Sequence, residues 1–265
     1  MKLGFIGAGR MAEAILRGLG SSNIIISDKD PARLKLVAKK FGVKAAEDNA
    51  EAASSSDVLI LAVKPQAMHA ALSDICTKIK PGCLVISIAA GITLKSLEKY
   101  LPKVPVVRVM PNNPCLIGEG ITAICGGKRA EEKDLKTAEK IFSSVGETIR
   151  VDEKNMNAVT ALSGSGPAFV YETVDALVNG GIEAGLNKDM ASRLALKTVY
   201  GSVKTLIETK RTPEELKTMV ASPGGTTVAG LRVLDEGDFK GTLKKAVVKA
   251  SARAKEISED FERSL

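Results

Sequence analysis

Leu3-Gly-Phe-Ile-Gly-Ala-Gly-Arg-Met-Ala12 stands near the start of the chain and decides how the rest is read. Four residues suited to a buried strand run into Gly7-x-Gly9-x-x-Ala12, and a helical pattern opens on the same residues. A strand, a glycine turn and a helix in immediate succession form the phosphate-binding element of a dinucleotide site. Gly7 allows the tight turn, Gly9 lets a pyrophosphate approach the backbone, and Ala12 permits close packing of helix on strand. The unpaired N–H groups of the helix start then face the phosphates. Ile6, Gly7, Ala8, Gly9, Arg10 and Met11 are the expected pyrophosphate contacts.

About twenty residues further on, a second apolar run, Ile24 to Ser27, ends at Asp28. A carboxylate in that place holds an adenosine ribose diol and favours NADH. Ser27, Lys29 and Arg33 offer the opposite arrangement, a surround for a 2′-phosphate, if Asp28 turns away to cap the helix starting at Pro31. The sequence leaves NADPH and NADH open.

Outward from this element, short apolar runs alternate with helical patterns as far as residue 151. Strands are expected at Leu3–Ile6, Ile24–Ser27, Val43–Ala45, Val58–Val63, Leu84–Ile88 and Val106–Met110. Most are apolar without alternation, as in a parallel sheet covered on both faces. Ile121–Cys125 and Thr148–Val151 close the far side around a helix near 131–144. From there to Leu265 the pattern is helical, with segments near 155–162, 168–184, 188–209, 213–220, 227–236 and 240–262. The fold class is therefore α/β, an N-terminal doubly wound sheet of the Rossmann type (1–151) followed by an all-helical C-terminal domain (152–265). Thr212-Pro213-Glu214-Glu215 reads as a cap, a first-turn proline and a capping-box glutamate. The apolar faces of such a helical domain suit a second copy of the chain, so a homo-oligomer is expected.

Composition narrows the function. The 265 residues are 45% hydrophobic, enough for a sizeable core, yet only 3% aromatic with no Trp, which leaves no stacking platform for single-stranded nucleic acid. The net charge of +7 is spread among acids along helical stretches and reads as a solvated surface, without a nucleic-acid partner. Cys76, Cys83, Cys115 and Cys125 form no C-x-x-C pair, and His69 is the single histidine, so no metal site is expected. The N-terminal residues lack the apolar core of a signal peptide and no stretch approaches a membrane span, which predicts a cytoplasmic chain with no membrane partner.

Ala62, Val63, Lys64 and Pro65 leave one strand end, and Ile88, Ala89 and Ala90 leave the next, where ligands sit in open α/β sheets. Both turns are read as lining the nicotinamide side, against the plainer reading of ordinary strand-to-helix turns. His69, near a helix start, is read as a surface residue. In the helical region Leu162-Ser-Gly-Ser-Gly-Pro-Ala168 reads first as close packing of two helix backbones at Gly164 and Gly166. Ala221-Ser-Pro-Gly-Gly-Thr-Thr227 is different. Gly224 and Gly225 before two threonines at a helix head bring N–H groups and hydroxyls to one point where the helix dipole favours negative charge, which describes a carboxylate pocket. An elaborate helix cap is the bland alternative. No Ser-His-Asp set, Cys-His pair or carboxylate-histidine cluster accompanies these loops, and a redox cofactor needs none of them.

Taken together, Gly4-Phe-Ile-Gly-Ala-Gly-Arg-Met-Ala12, Ala62-Val-Lys-Pro-Gln66, Ala89-Ala-Gly91, Arg108-Val-Met-Pro-Asn-Asn-Pro114, Leu162-Ser-Gly-Ser-Gly-Pro-Ala168, Asp175-Ala-Leu-Val-Asn-Gly-Gly181 and Ser222-Pro-Gly-Gly-Thr-Thr227 resemble the pyrroline-5-carboxylate reductases across essentially the whole chain. The resemblance implies NADPH- or NADH-dependent reduction of the cyclic imine 1-pyrroline-5-carboxylate to L-proline, the last step of proline biosynthesis. It implies a dimer through the helical domain, and an assembly of five dimers as the larger possibility. It places Ser222, Gly224, Gly225, Thr226 and Thr227 on the substrate, with Thr227 nearest the imine as the catalytic contact, and Glu153 and Thr160 among polar groups near it. Ser27 and Asn49 fall where the family meets the adenosine ribose and its phosphate. Met219 departs from the pattern, standing where the family carries an asparagine that reaches the cofactor. The β-hydroxyacid dehydrogenases share the architecture, but their catalytic lysine has no counterpart in Pro167-Ala-Phe-Val-Tyr-Glu172. A deazaflavin-dependent NADP reductase leaves the Ser222–Thr227 loop unexplained, and a non-catalytic dinucleotide sensor is the reading from another class.

Overall fold

The computed structural model describes residues 1–20 and 23–264. The chain runs β1 (Leu3–Ile6), α1 (Arg10–Leu19), β2 (Ile24–Ser27), α2 (Pro31–Phe41), β3 (Lys44–Ala45), α3 (Asn49–Ser55), β4 (Val58–Leu61) and α4 (Met68–Ile75). It continues through β5 (Leu84–Ser87), α5 (Leu94–Tyr100), β6 (Val106–Met110), β7 (Gly120–Gly126), α6 (Glu132–Phe142) and β8 (Gly146–Arg150). The strands form one sheet in the order β3-β2-β1-β4-β5-β6-β7-β8. All pairings are parallel except β6 with β7. Strand order reverses at β1 and β4, which creates the crevice at which open sheets of this kind bind ligands.

Both faces of the sheet are covered, which explains why its strands are apolar without alternation. Phe5, Ile26, Ile60 and Ile86 point into one buried layer with Ile15 and Leu16 of α1 and Phe142 of α6. Ile6, Leu59, Leu61 and Val85 point into the other with Met68 and Leu72 of α4 and Leu97 of α5. The helices that close these layers are delimited by local chemistry. Asp30 caps α2, its carboxylate accepting from the Ala32 and Arg33 N–H groups with Pro31 in the first turn. Gly42 ends α2 in the left-handed conformation, φ 64°.

The helical remainder comprises α7 (Met156–Val159), a π-helical turn over Thr160–Gly164, α8 (Gly166–Glu183), α9 (Lys188–Thr209), α10 (Pro213–Val220), α11 (Thr226–Glu236) and α12 (Phe239–Arg263). The capping box of α10 forms as expected, Thr212 and Glu215 satisfying each other's backbone N–H groups. The chain divides into two compact units, Met1–Ser165 with Val248 onward, and Gly166–Val247. This differs from the boundary expected at 151–152, for a physical reason. Met156 is fully buried in the second sheet layer, and Phe261 of α12 packs into the same layer, so α7 and the end of α12 belong to the sheet's core.

His69 takes part in that attachment, and so is more than a solvated surface residue. Its ring stacks on Phe261 at 4.1 Å between centroids and bonds the Tyr100 and Ser264 hydroxyls at 2.8 and 2.6 Å. Gly164 also departs from expectation. A side chain there would meet the Met110 methyl of β6, not a second helix backbone, and one at Gly166 would meet nothing within 4 Å in the single chain. Among the described residues no helix is long and apolar enough to cross a membrane.

Candidate active site

The expected dinucleotide contacts in unit 1 gather along one edge of the sheet, because the strand registers align their carboxyl ends. Ile6 lies opposite Ser27 on one side and Leu61 on the other, and Leu61 lies opposite Ser87. The next residues continue the ladder: Gly7 N–H donates to Ser27 C=O, Ala62 N–H to Ile6 C=O, and Ile88 N–H to Leu61 C=O. Thus Ile6 to Met11, Ala62 to Pro65 and Ile88 to Ala90 emerge side by side.

Within this edge the two glycines do different work. Gly7 has φ 101°, and a Cβ there would stand 2.6 Å from the Ala62 carbonyl oxygen, so the turn excludes every other residue. Gly9 caps α1 with an ordinary extended backbone, and a Cβ there would meet nothing within 4 Å. The space in front of α1 is open and no side chain caps the helix, so its first-turn N–H groups are presented outward. The site therefore fits a dinucleotide pyrophosphate.

Around the end of β2 the polar groups are tightly organised. Asp28 accepts from the Ala8 N–H at 2.6 Å and from the Asp30 N–H at 2.9 Å. It does not cap α2; Asp30 does, which settles one of the alternatives the sequence left open. Ser27 Oγ donates to Asn49 Oδ1 at 2.7 Å, and Asn49 Nδ2 donates to Asp74 at 2.8 Å. Arg33 Nε donates to the Ala8 carbonyl at 2.7 Å, and one of its two terminal nitrogens donates to Glu13, which Lys40 also bonds. Burial alone would raise the Glu13 carboxyl; the Lys40 and Arg33 bonds outweigh it and hold the group below its ordinary value.

The two polar residues expected near the substrate have partners within unit 1. Glu153 pairs with the buried Arg108 guanidinium at 2.6 Å and accepts from the Leu94 N–H at 3.1 Å. Thr160 donates back to the Met156 carbonyl at 2.7 Å, inside its own helix. The Arg108–Glu153 pair carried no signal in sequence, since its members lie 45 residues apart. Burial pushes the Cys125 thiol up to about 12, with the Glu153 charge adding to it, and the Cys83 thiol up to about 11. Neither thiol supplies a nucleophile at neutral pH. Among the described residues no cluster of His, Cys, Asp and Glu could hold a metal ion.

In unit 2, Ala221–Gly225 forms a compact turn at the head of α11. Gly224 has φ 72°, and Gly225 N–H donates to the Ser222 carbonyl at 2.9 Å. Gly225 is the N-cap, with no side chain bonded to the helix start. The helix-cap alternative therefore fails: the hydroxyls of Ser222, Thr226 and Thr227 do not cap α11, and its first N–H groups face outward beside them. Ser222, Gly224 and Thr226 are exposed and Thr227 is half-buried. Arg211 donates to the Met219 sulfur, so the departure at Met219 leaves a thioether engaged within unit 2.

Two family models match this chain. Residues 2–91 match the model described as NADP oxidoreductase, coenzyme F420-dependent, and residues 153–257 match pyrroline-5-carboxylate reductase dimerisation. Among curated proteins, a pyrroline-5-carboxylate reductase of Methanosarcina acetivorans is 43% identical over 97% of both chains. One of Arabidopsis thaliana is 39% identical over 97% of this chain and 96% of its own. Among solved structures, the Plasmodium falciparum pyrroline carboxylate reductase with NADP bound superposes with a TM-score of 0.89 at 32% identity, covering 97% of this chain and 98% of that one. The Coxiella burnetii pyrroline-5-carboxylate reductase gives 0.88 at 34% identity with the same coverage. With the glycine turn, the doubly wound sheet and the α11 loop all in place, the chain belongs to the pyrroline-5-carboxylate reductase family.

Proposed function

We infer that this protein is an NAD(P)H-dependent oxidoreductase that reduces the C=N bond of 1-pyrroline-5-carboxylate to give L-proline. The observation that carries the reading is the α11 loop: an uncapped helix N-terminus with two glycines and three hydroxyls around it, in a chain whose sheet edge fits a dinucleotide. A carboxylate accepts hydrogen bonds only, and the exposed N–H groups of such a loop offer donors where the helix dipole also favours its charge.

When bound, the reduced nicotinamide supplies the hydride. A protonated imine carbon is electrophilic, so the chain's own task is to bind, orient and stabilise charge. Gly7, Ala8, Gly9, Arg10 and Met11 receive the pyrophosphate at the head of α1, and Ala62–Pro65 with Ile88–Ala90 line the dinucleotide along the sheet edge. Ser222, Gly224, Gly225 and Thr226 hold the substrate carboxylate. Thr227 donates to or accepts from the ring nitrogen as it becomes an amine, which makes it the catalytic contact. Glu153 and Thr160 rest on family resemblance alone, since the bonds they make lie within unit 1. We place the protein in the cytoplasm as a dimer through the helical region, with five such dimers as the larger assembly.

The test is loss of nicotinamide absorbance by purified protein supplied with pyrroline-5-carboxylate, with the product identified. Rapid oxidation with L-proline formed supports the reading. No oxidation by protein that binds a reduced dinucleotide removes the substrate assignment and leaves the fold standing.

A further inference from the structure

We propose that Asp28 selects the dinucleotide, accepting the 2′- and 3′-hydroxyls of an unphosphorylated adenosine ribose and repelling a 2′-phosphate, so that NADH is preferred over NADPH. The inference rests on the dinucleotide reading of unit 1 and narrows it.

The position of the carboxylate is fixed by the backbone. Asp28 accepts from Ala8 N–H at 2.6 Å through one oxygen and from Asp30 N–H at 2.9 Å through the other. The first bond ties it to the glycine turn twenty residues upstream, beside the pyrophosphate contacts. An ionised carboxylate has about four acceptor sites, two on each oxygen. The two backbone bonds leave one on each, which matches a diol and suits no phosphate oxygen, itself an acceptor. Because Asp30 caps α2, Asp28 is not required there.

The groups that could hold a 2′-phosphate are partly committed elsewhere. Arg33 spends Nε on the Ala8 carbonyl and another nitrogen on Glu13, whose second oxygen bonds Lys40. The Ser27 hydroxyl hydrogen goes to Asn49, and Asn49 gives one amide hydrogen to Asp74, which adds a second carboxylate to the neighbourhood. Lys29 is exposed, so water and salt screen its charge more than that of the half-buried Asp28. A phosphate at this place would meet Asp28 at close range, and turning the Arg33 guanidinium toward it would loosen the bonds to Ala8 and Glu13.

The test is calorimetric titration of the full-length protein with NADH and with NADPH, in wild type, Asp28→Ser and Asp28→Asn. Wild type should bind NADH about tenfold or more tightly than NADPH. In both variants that ratio should fall toward one or invert, through weaker NADH and stronger NADPH binding. Asp28→Asn keeps an oxygen for the Ala8 N–H, so it carries the test if Asp28→Ser fails to fold. Glu13→Gln, which loosens the hold on Arg33, should strengthen NADPH binding on its own. Tighter NADPH than NADH binding in wild type, or a ratio unmoved in Asp28→Asn, overturns the inference alone. Binding of neither nucleotide by wild type overturns the dinucleotide reading beneath it as well.

Discussion

The two units treat apolar sequence in opposite ways. In unit 1, β1, β2, β4 and β5 are buried at every position, and helices on both faces complete their cover. In unit 2 only Ala191 and Ala195 are buried among the described residues, while Leu196, Tyr200 and Ile207 of α9 are 58, 59 and 70% exposed. A parallel sheet with crossover helices carries its own cover, because each crossover lays an amphipathic helix on the strands it joins. Helices connected by short turns have no such guarantee. Their apolar faces need a second copy, and the dimerisation model that matches 153–257 covers the same residues. Unit 1 is therefore a self-sufficient core, and unit 2 a partial one.

Substitutions sharpen this contrast, beginning with the largest effect. Leu61→Ala, at a fully buried site in the second sheet layer, should cost about 2–5 kcal/mol in denaturant titration, with no dependence on protein concentration. Gly9→Val should weaken dinucleotide binding about 100-fold by filling the open space before α1, while stability changes by about 1 kcal/mol or less. A matching loss of stability would mean that the turn itself requires Gly9, as it requires Gly7. Leu196→Asp should weaken self-association about 30-fold, seen as a shift to monomer in light scattering, and leave unit 1's dinucleotide affinity in place. An unchanged mass would put the covering surface elsewhere.

The smallest expected effect is electrostatic. Glu13→Gln should cost about 1 kcal/mol or less at neutral pH, since Lys40 and Arg33 are partly solvated. The Glu13 carboxyl lies below its ordinary value in the folded chain. Its contribution is therefore complete above the unfolded-state value and is lost as pH falls through the lower folded one. Acid titration of wild type against Glu13→Gln should show the difference vanish in that window, and a difference persisting at lower pH would assign the effect to packing.

How much could be read beforehand follows from the range of each interaction. β1, β2 and β6 have the bounds that their apolar runs predicted, and α9 and α10 end where their caps and proline place them. Gly7, Gly9 and Asp28 were legible because the turn, the strand end and a separation of about twenty residues are local patterns. That Asp28 leaves the capping of α2 to Asp30 was not, because both precede Pro31 within three residues and only Ala8, across the turn, distinguishes them. Arg108 with Glu153, and His69 with Phe261 and Ser264, join parts of the chain that no periodicity relates. The π-helical turn at Thr160–Gly164 carries the helix expected to end near 162 two residues further, which local propensity does not show because Ser163-Gly164-Ser165-Gly166-Pro167 is poor helix sequence.

The division of labour between the units is tested most directly by Thr227→Val, with kcat/KM for pyrroline-5-carboxylate and the Kd of the reduced dinucleotide measured on the same preparation. The hydroxyl at the head of α11 is placed on the substrate and not on the dinucleotide. Its loss should therefore lower kcat/KM about 10- to 100-fold, on the order of 1–3 kcal/mol, with the Kd unchanged. Full turnover by Thr227→Val, or a dinucleotide affinity that falls along with turnover, would contradict that placement.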